Sequence, residues 1–238
     1  MHTILVLVGC CGCGKDYISK LLMSAYPQFM MISTSKILQG GNSDGSMVNN
    51  DLMVHLRLEN ELDKKRVFDL EYSGEFIFNG AGRNRIQMSS LIGMLSGNRS
   101  LTDSTFFVKL NITSQESYRR MVNRYHENIL ARTLRKEEEG EYDVVLGRFR
   151  SRISEWQKTR KGIFESMDLN LSGTASKVIN VNVVRSVADV LIDLVQQLGL
   201  PEGPAIDVLV NSGLLETRLN SVGSEHSAAA VPVILNAQ

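Results

Sequence analysis

The chain has 238 residues, of which 43 % are hydrophobic and 22 % charged; at about 150 residues per domain, one sizeable domain with an appendage is expected. Lys plus Arg number 26 and Asp plus Glu number 26, a balance that gives no ground for a nucleic-acid or anionic-membrane partner. The first apolar run, residues 4–8, is far too short to cross a bilayer and leads straight into glycines rather than a cleavage site, so a cytoplasmic, monomeric protein with no membrane partner is expected.

Residues 2–9 are rich in Ile, Leu and Val without alternation, the pattern of a strand buried on both faces of a parallel sheet. Glycines follow, and then Ile18, Leu21, Leu22 and Ala25 recur at helical spacing up to Pro27, where a helix stops. Residues 29–32, 75–78, 106–112 and 178–183 are further apolar runs, each followed by a helix-compatible stretch. Five strands alternating with helices predict an α/β sandwich around a mainly parallel five-stranded sheet.

The forty-odd residues between the second and third strands exceed what a crossover needs. They carry a Gly/Asn/Ser-rich turn at 40–46 and then a helical pattern through Leu52, Leu56 and Leu62, which predicts an inserted helical flap over 35–72. Residues 114–166 read as charged helix interrupted by an acidic stretch at 136–143, and they hold 12 of the 26 basic residues. A last helix over 186–198 closes the core at residue 200. Beyond Pro201 the composition shifts to Ser, Ala, Gly, Asn and Val, so residues 201–238 are set apart as an extension. Short strands at 206–210 and 231–235, a helix around 214–219, and disorder all remain open there.

All three cysteines, Cys10, Cys11 and Cys13, fall within four residues, and the four histidines are scattered at positions 2, 55, 126 and 226. That clustering excludes a disulfide scaffold, and no second Cys or His group completes a zinc set. The same segment, Gly9-Cys10-Cys11-Gly12-Cys13-Gly14-Lys15, fits G-x-x-x-x-G-K between a buried strand and a helix. Glycines let such a loop turn its N–H groups inward around a phosphate, the helix N-terminus adds partial positive charge, and the lysine adds a full one. The next position, usually Ser or Thr on Mg²⁺, is Asp16, whose carboxylate serves either as a substituted Mg²⁺ ligand or simply as an acid at a helix N-terminus.

From residue 3 to about 199 the chain resembles the adenylate kinase family of nucleoside monophosphate kinases. The loop resembles that family's phosphate loop, with Cys11 in place of proline and Asp16-Tyr17 in place of Gly-Thr. Ile32-Ser33-Thr34 is similar to the entry of the monophosphate flap, and Gly45-Ser46-Met47-Val48 to the segment lying along the acceptor base. Phe76-Ile77-Phe78-Asn79-Gly80-Ala81-Gly82-Arg83, with Gln87 four residues on, resembles the strand-end motif whose arginine holds the acceptor phosphate and whose glutamine reads adenine. Arg120-Met121-Val122-Asn123-Arg124 and Arg152-Ile153-Ser154-Glu155-Trp156 resemble the arginine motifs flanking the lid.

The resemblance implies a P-loop NTPase-type three-layer sandwich over residues 1–200, with a nucleoside-monophosphate flap at 35–72 and a short lid at 125–147. It also implies reversible phosphoryl transfer from Mg²⁺–ATP to AMP or a related monophosphate. Gly9, Gly12, Cys13, Gly14, Lys15, Asp16, Tyr17 and Arg120 would bind ATP, Thr34, Val48, Gly80, Arg83 and Gln87 would bind AMP, and Asp16 would take Mg²⁺. Lys15, Arg83, Arg120, Arg124 and Arg152 would form the catalytic set. Independently of any family, Arg120 and Arg124, and Arg148 and Arg152, are four apart and leave a helix on one face. Two such faces over a glycine loop would form the cationic clamp that phosphoryl transfer requires.

The chain also departs from the family pattern. Asn79 and Lys36 stand where the family has aspartates, Gln39 where it has an acceptor-site arginine, and of the lid's Arg-x-Asp-Asp pattern only Asp143 remains beside Arg132 and Arg135. Fewer carboxylates near the metal imply weaker or different Mg²⁺ binding. Two alternatives therefore stand beside the kinase: a nucleotide-binding module that has lost phosphoryl transfer, and a small-molecule kinase with a non-nucleotide acceptor.

Overall fold

The structure, a computed structural model, describes residues 3–34, 37, 51–65, 67, 75–80, 82–96, 105–135, 138–172 and 176–214. Strands β1 (Ile4–Gly9), β2 (Phe29–Ser33), β3 (Glu75–Asn79), β4 (Thr105–Asn111) and β5 (Lys177–Asn182) form one sheet in the order β2-β3-β1-β4-β5. Every pairing is parallel. Helices α1 (Lys15–Ala25), α2 (Asp51–Lys64), α3 (Arg85–Ser96), α4 (Ser114–Leu130), α5 (Tyr142–Leu171), α6 (Val187–Leu198) and α7 (Glu202–Asn211) complete the described elements. The protein is an α/β fold with an all-parallel five-stranded sheet, and each strand lies within a residue or two of its predicted run.

The unbroken apolar sequence of β1 follows from its central place between β3 and β4. Leu5 and Leu7 enter a core with α1, α6 and α7 on one face. Ile4, Val6 and Val8 enter a second core with α2, α3 and α5 on the other. A strand covered on both faces has no side to leave polar. Edge strand β5, by contrast, buries only Ile179 and Val181. A third, smaller core joins α4 to α5 through Met121, Tyr125, Val145, Phe149 and Ile153, with Cys10 of the glycine loop beneath them.

Helix α5 runs 30 residues without a break, about 45 Å at 1.5 Å per residue. With α4 it makes a helical hairpin whose connection is residues 131–141, inside the segment predicted as the lid. The predicted flap is represented by α2, which packs Leu58 and Leu62 into the second core. Of the rest of 35–72 only residues 37, 65 and 67 are described, with Val67 buried in the second core; Val48, Lys36 and Gln39 lie outside the described residues, as do residues 215–238. Among the described residues no helix is long and apolar enough to cross a membrane.

The core does not stop at residue 200. Residues 206–210, for which the sequence leaves a short strand and disorder both open, belong to α7, whose Ala205 and Leu209 are fully buried in the first core. The Tyr26 hydroxyl, at the C-terminus of α1, donates to the Pro201 carbonyl at the N-cap of α7. The boundary at residue 200 follows the change in composition beyond Pro201, but Pro201 is the N-cap of α7 and Pro204 sits in its first turn, where a missing N–H costs nothing. The overlooked signal was Ala205, Val208 and Leu209 at helical spacing.

Candidate functional site

Because all five strands are parallel, Gly9, Ser33, Asn79, Asn111 and Asn182 end at one edge of the sheet, the edge at which open α/β sheets place ligands. The glycine loop rises from β1 at that edge. Gly12 has φ +76° and its absent Cβ would lie 2.7 Å from the Ser117 carbonyl oxygen of α4, so this position tolerates neither the conformation nor the bulk of another residue. Gly14, at φ 90°, is the N-cap of α1 and makes no side-chain capping bond. Its conformation turns the chain from loop to helix with the first-turn amides facing the loop.

Lys15 folds back across this loop. Its Nζ donates to the Gly9 carbonyl at 2.7 Å and the Cys10 carbonyl at 2.8 Å, with the Cys13 sulfur at 3.4 Å. Those bonds hold a full positive charge at the loop centre. Arg152, reaching in from α5, contributes its charge near Cys11, as Lys15 does. Arg83, after β3, lies near Arg152: burial first, then the Arg152 guanidinium, pulls Arg83 below the usual arginine range, against the opposing pull of Glu155. Two guanidinium groups held close in a partly buried setting raise each other's electrostatic energy, and an anion between them relieves it.

Arg120 meets the loop from the other side. With Cys13, Gly14, Tyr17, Val183 and Val187 it lines a small cleft between α1 and the β5–α6 turn. Its Nε donates to Glu116 at 2.7 Å and its Nη2 to the Val183 carbonyl at 2.6 Å. Glu116 also receives Arg119, and hydrogen bonds from both guanidinium groups hold its carboxyl down at about 2. These contacts fix the Arg120 plane across one wall of the cleft.

Arg124, one turn further along α4, is paired differently. Its guanidinium meets the fully buried Glu138 at 3.0 Å, and Glu138 also accepts from Asn128 and from the Arg135 amide. Burial opposes the charge on Glu138, but those hydrogen bonds and Arg124 leave its carboxyl below the usual range. The same-face argument for Arg120 and Arg124 therefore gives two different neighbourhoods, one at the β5–α6 turn and one in the α4–α5 connection. Arg148 likewise bonds the Glu139 carbonyl in that connection, while Arg152 serves the loop.

The second half of the edge is a polar chain. Thr34 donates to the Asn79 carbonyl at 3.1 Å, and the buried Asn79 donates through Nδ2 to Asp16 at 2.6 Å. Gly80 follows at the end of β3. Gln87 accepts from the Arg83 amide at 3.1 Å and donates to Asp51 at 2.9 Å, and Asn84 donates to the same Asp51 oxygen. Both ends of the predicted base-reading amide are thus satisfied within the protein. Asp51, Glu116, Glu138 and Glu155 were not singled out from sequence. Acids on helices are ordinarily solvated, and only Glu116 carried a local signal, three and four residues before Arg119 and Arg120.

Comparison with known protein families and with curated proteins finds no match.

Proposed function

We propose that the protein is a phosphotransferase that moves the terminal phosphoryl group of Mg²⁺–ATP to AMP or a related nucleoside monophosphate, giving ADP. The observation that carries this reading is the cationic surround of the glycine loop at the carboxyl edge of the sheet: Lys15 is bonded across the loop, Arg152 acts on Cys11 within it, and Arg83 after β3 feels the Arg152 charge. Phosphoryl transfer needs positioning and charge neutralisation rather than a side-chain nucleophile. Lys15 and the loop amides would hold the donor phosphates, Arg83 the acceptor phosphate, and Arg152 and Arg120 the group in transfer. Arg124 would join them on exchanging Glu138 for phosphate. Gln87 would read the acceptor base on releasing Asp51, so closure of the flap and base selection would be one event.

Mg²⁺ takes one or two carboxylates plus phosphate oxygens and water in such sites. Asp16 beside the glycine loop fits that donor set, and among the described residues no group of three or more His, Cys, Asp or Glu offers a protein-only cage. Asp16 would therefore hold the ion, which supplies neutralisation of the polyphosphate. ADP formation from ATP plus AMP in a coupled assay, run with Mg²⁺, Mn²⁺ and Co²⁺ in turn, tests the reading. Turnover with none of the three metals would refute it.

One contact favours a second reading, a nucleotide-binding module without turnover: the Asn79 amide already occupies Asp16 at 2.6 Å. Tight binding of a bisubstrate analogue by calorimetry without any ADP formation would select it. The same contact makes Asn79→Asp informative. Two carboxylates at that distance repel unless a proton or cation lies between them. Asn79→Asp is expected to melt several degrees lower in chelator, to recover in millimolar Mg²⁺, and to turn over faster with a sharper Mg²⁺ dependence. A melt insensitive to Mg²⁺ would mean that the ion is held elsewhere.

A further inference from the structure

The three thiols of the glycine loop are not equivalent. Cys10 and Cys13 are buried, whereas Cys11 is only half-buried. Cys10 Sγ lies 3.7 Å from Cys11 Sγ. The Ser117 hydroxyl of α4 donates to the Cys11 carbonyl and lies 3.5 Å from the Cys10 sulfur. The charges facing Cys11 are Lys15 of α1 and Arg152 of α5, with Cys10 and Cys13 beside it in the loop. The hydrogen bond from Cys10, followed by Arg152 and Lys15, outweighs burial and brings the Cys11 thiol down to about 6. Its hydrogen bond with Cys11 and burial push Cys10 up.

We propose that Cys11 is a covalent modification site that captures low-molecular-mass disulfides, anionic ones preferentially, as a mixed disulfide at the mouth of the glycine loop. The Cys11 sulfur attacks one sulfur of the disulfide; the new S–S bond forms as the old one breaks, and the departing thiolate takes a proton from solvent. Cys11 is oxidised and the departing half is reduced. A thiolate beside cations, titrating near neutrality, is the reactive class of cysteine. Lys15 and Arg152 attract the anion, and Cys10 does not readily displace the adduct, because neighbouring Cα atoms about 3.8 Å apart are closer than the 4.4–6.8 Å usual for a disulfide. On the proposed function, the adduct occupies the space of the donor phosphates and blocks nucleotide binding.

The test uses the full-length reduced protein. With 5,5′-dithiobis(2-nitrobenzoate), one fast-reacting thiol is expected, absent in Cys11→Ser, and fragmentation of the labelled peptide places the adduct on Cys11. With uncharged 2,2′-dithiodipyridine the rate is expected to fall about tenfold between pH 7 and pH 5, as the thiolate is protonated, and to level off above pH 7. The anionic reagent should gain over the uncharged one at low salt. A fast phase that survives Cys11→Ser, an adduct on Cys10 or Cys13, or a rate still climbing from pH 8 to pH 9 would overturn the proposal. Inorganic triphosphate is expected to slow labelling. Fast, Cys11-specific labelling untouched by triphosphate would uphold the thiol site and count against the phosphate loop.

Discussion

Lys15→Ala is expected to lower the rate of ADP formation by at least 10²–10³-fold, about 3–4 kcal/mol of transition-state stabilisation, the loss typical of one preorganised donor at a developing charge. The reason is position as much as charge. Lys15 Nζ sits within 2.8 Å of two loop carbonyls, so it is held at the loop centre before any ligand arrives, and a polyphosphate meets a cation already in place. Steady-state kinetics, with nucleotide titration on the same preparation, separate the alternatives. A rate near that of the wild type would show that the loop is a turn with a lysine on it, and the phosphotransferase reading would fail.

Leu209→Ala is expected to cost about 2–5 kcal/mol, which for a protein of this size lowers the melting temperature by roughly 5–15 °C. Leu209 is fully buried with Leu22, Leu194 and Val195 in the core shared by α1, α6 and α7. Ending the chain at Leu200 removes Leu209, Ala205 and the carbonyl that accepts from Tyr26, and exposes the surface of α1 and α6 that they cover. The truncated chain is expected to melt lower still, or to fail to fold. Thermal denaturation of the three proteins decides the matter. Equal melting temperatures would mean that α7 is not part of the cooperative unit.

The legibility of the fold varied with how local its cause was. The central strands were readable because a strand covered on both faces is apolar almost throughout, and β1 in the middle of the sheet carries that signature in consecutive residues. The glycine loop was equally readable, since left-handed backbone at Gly12 and Gly14 and the lysine after them are neighbours in the chain. Helix α7 stayed open for a local reason too: a small-residue composition beyond Pro201 masked three apolar positions that only packing against α1 and α6 makes visible.

The site was legible in its residue types and not in their pairings. By itself the chain determined the parallel sheet, the loop at its carboxyl edge, and a supply of arginines on the helices that follow β3 and β4. Only the tertiary structure decided that the Arg152 charge acts on Arg83, that Arg120 is anchored to Glu116 and the Val183 carbonyl, that Arg124 is paired with a buried Glu138, and that Asn79 bonds Asp16. Periodicity and loop sterics are properties of adjacent residues and are written in sequence. Electrostatic energy depends on separation in space and on burial, and both are set only once helices distant in the chain have packed.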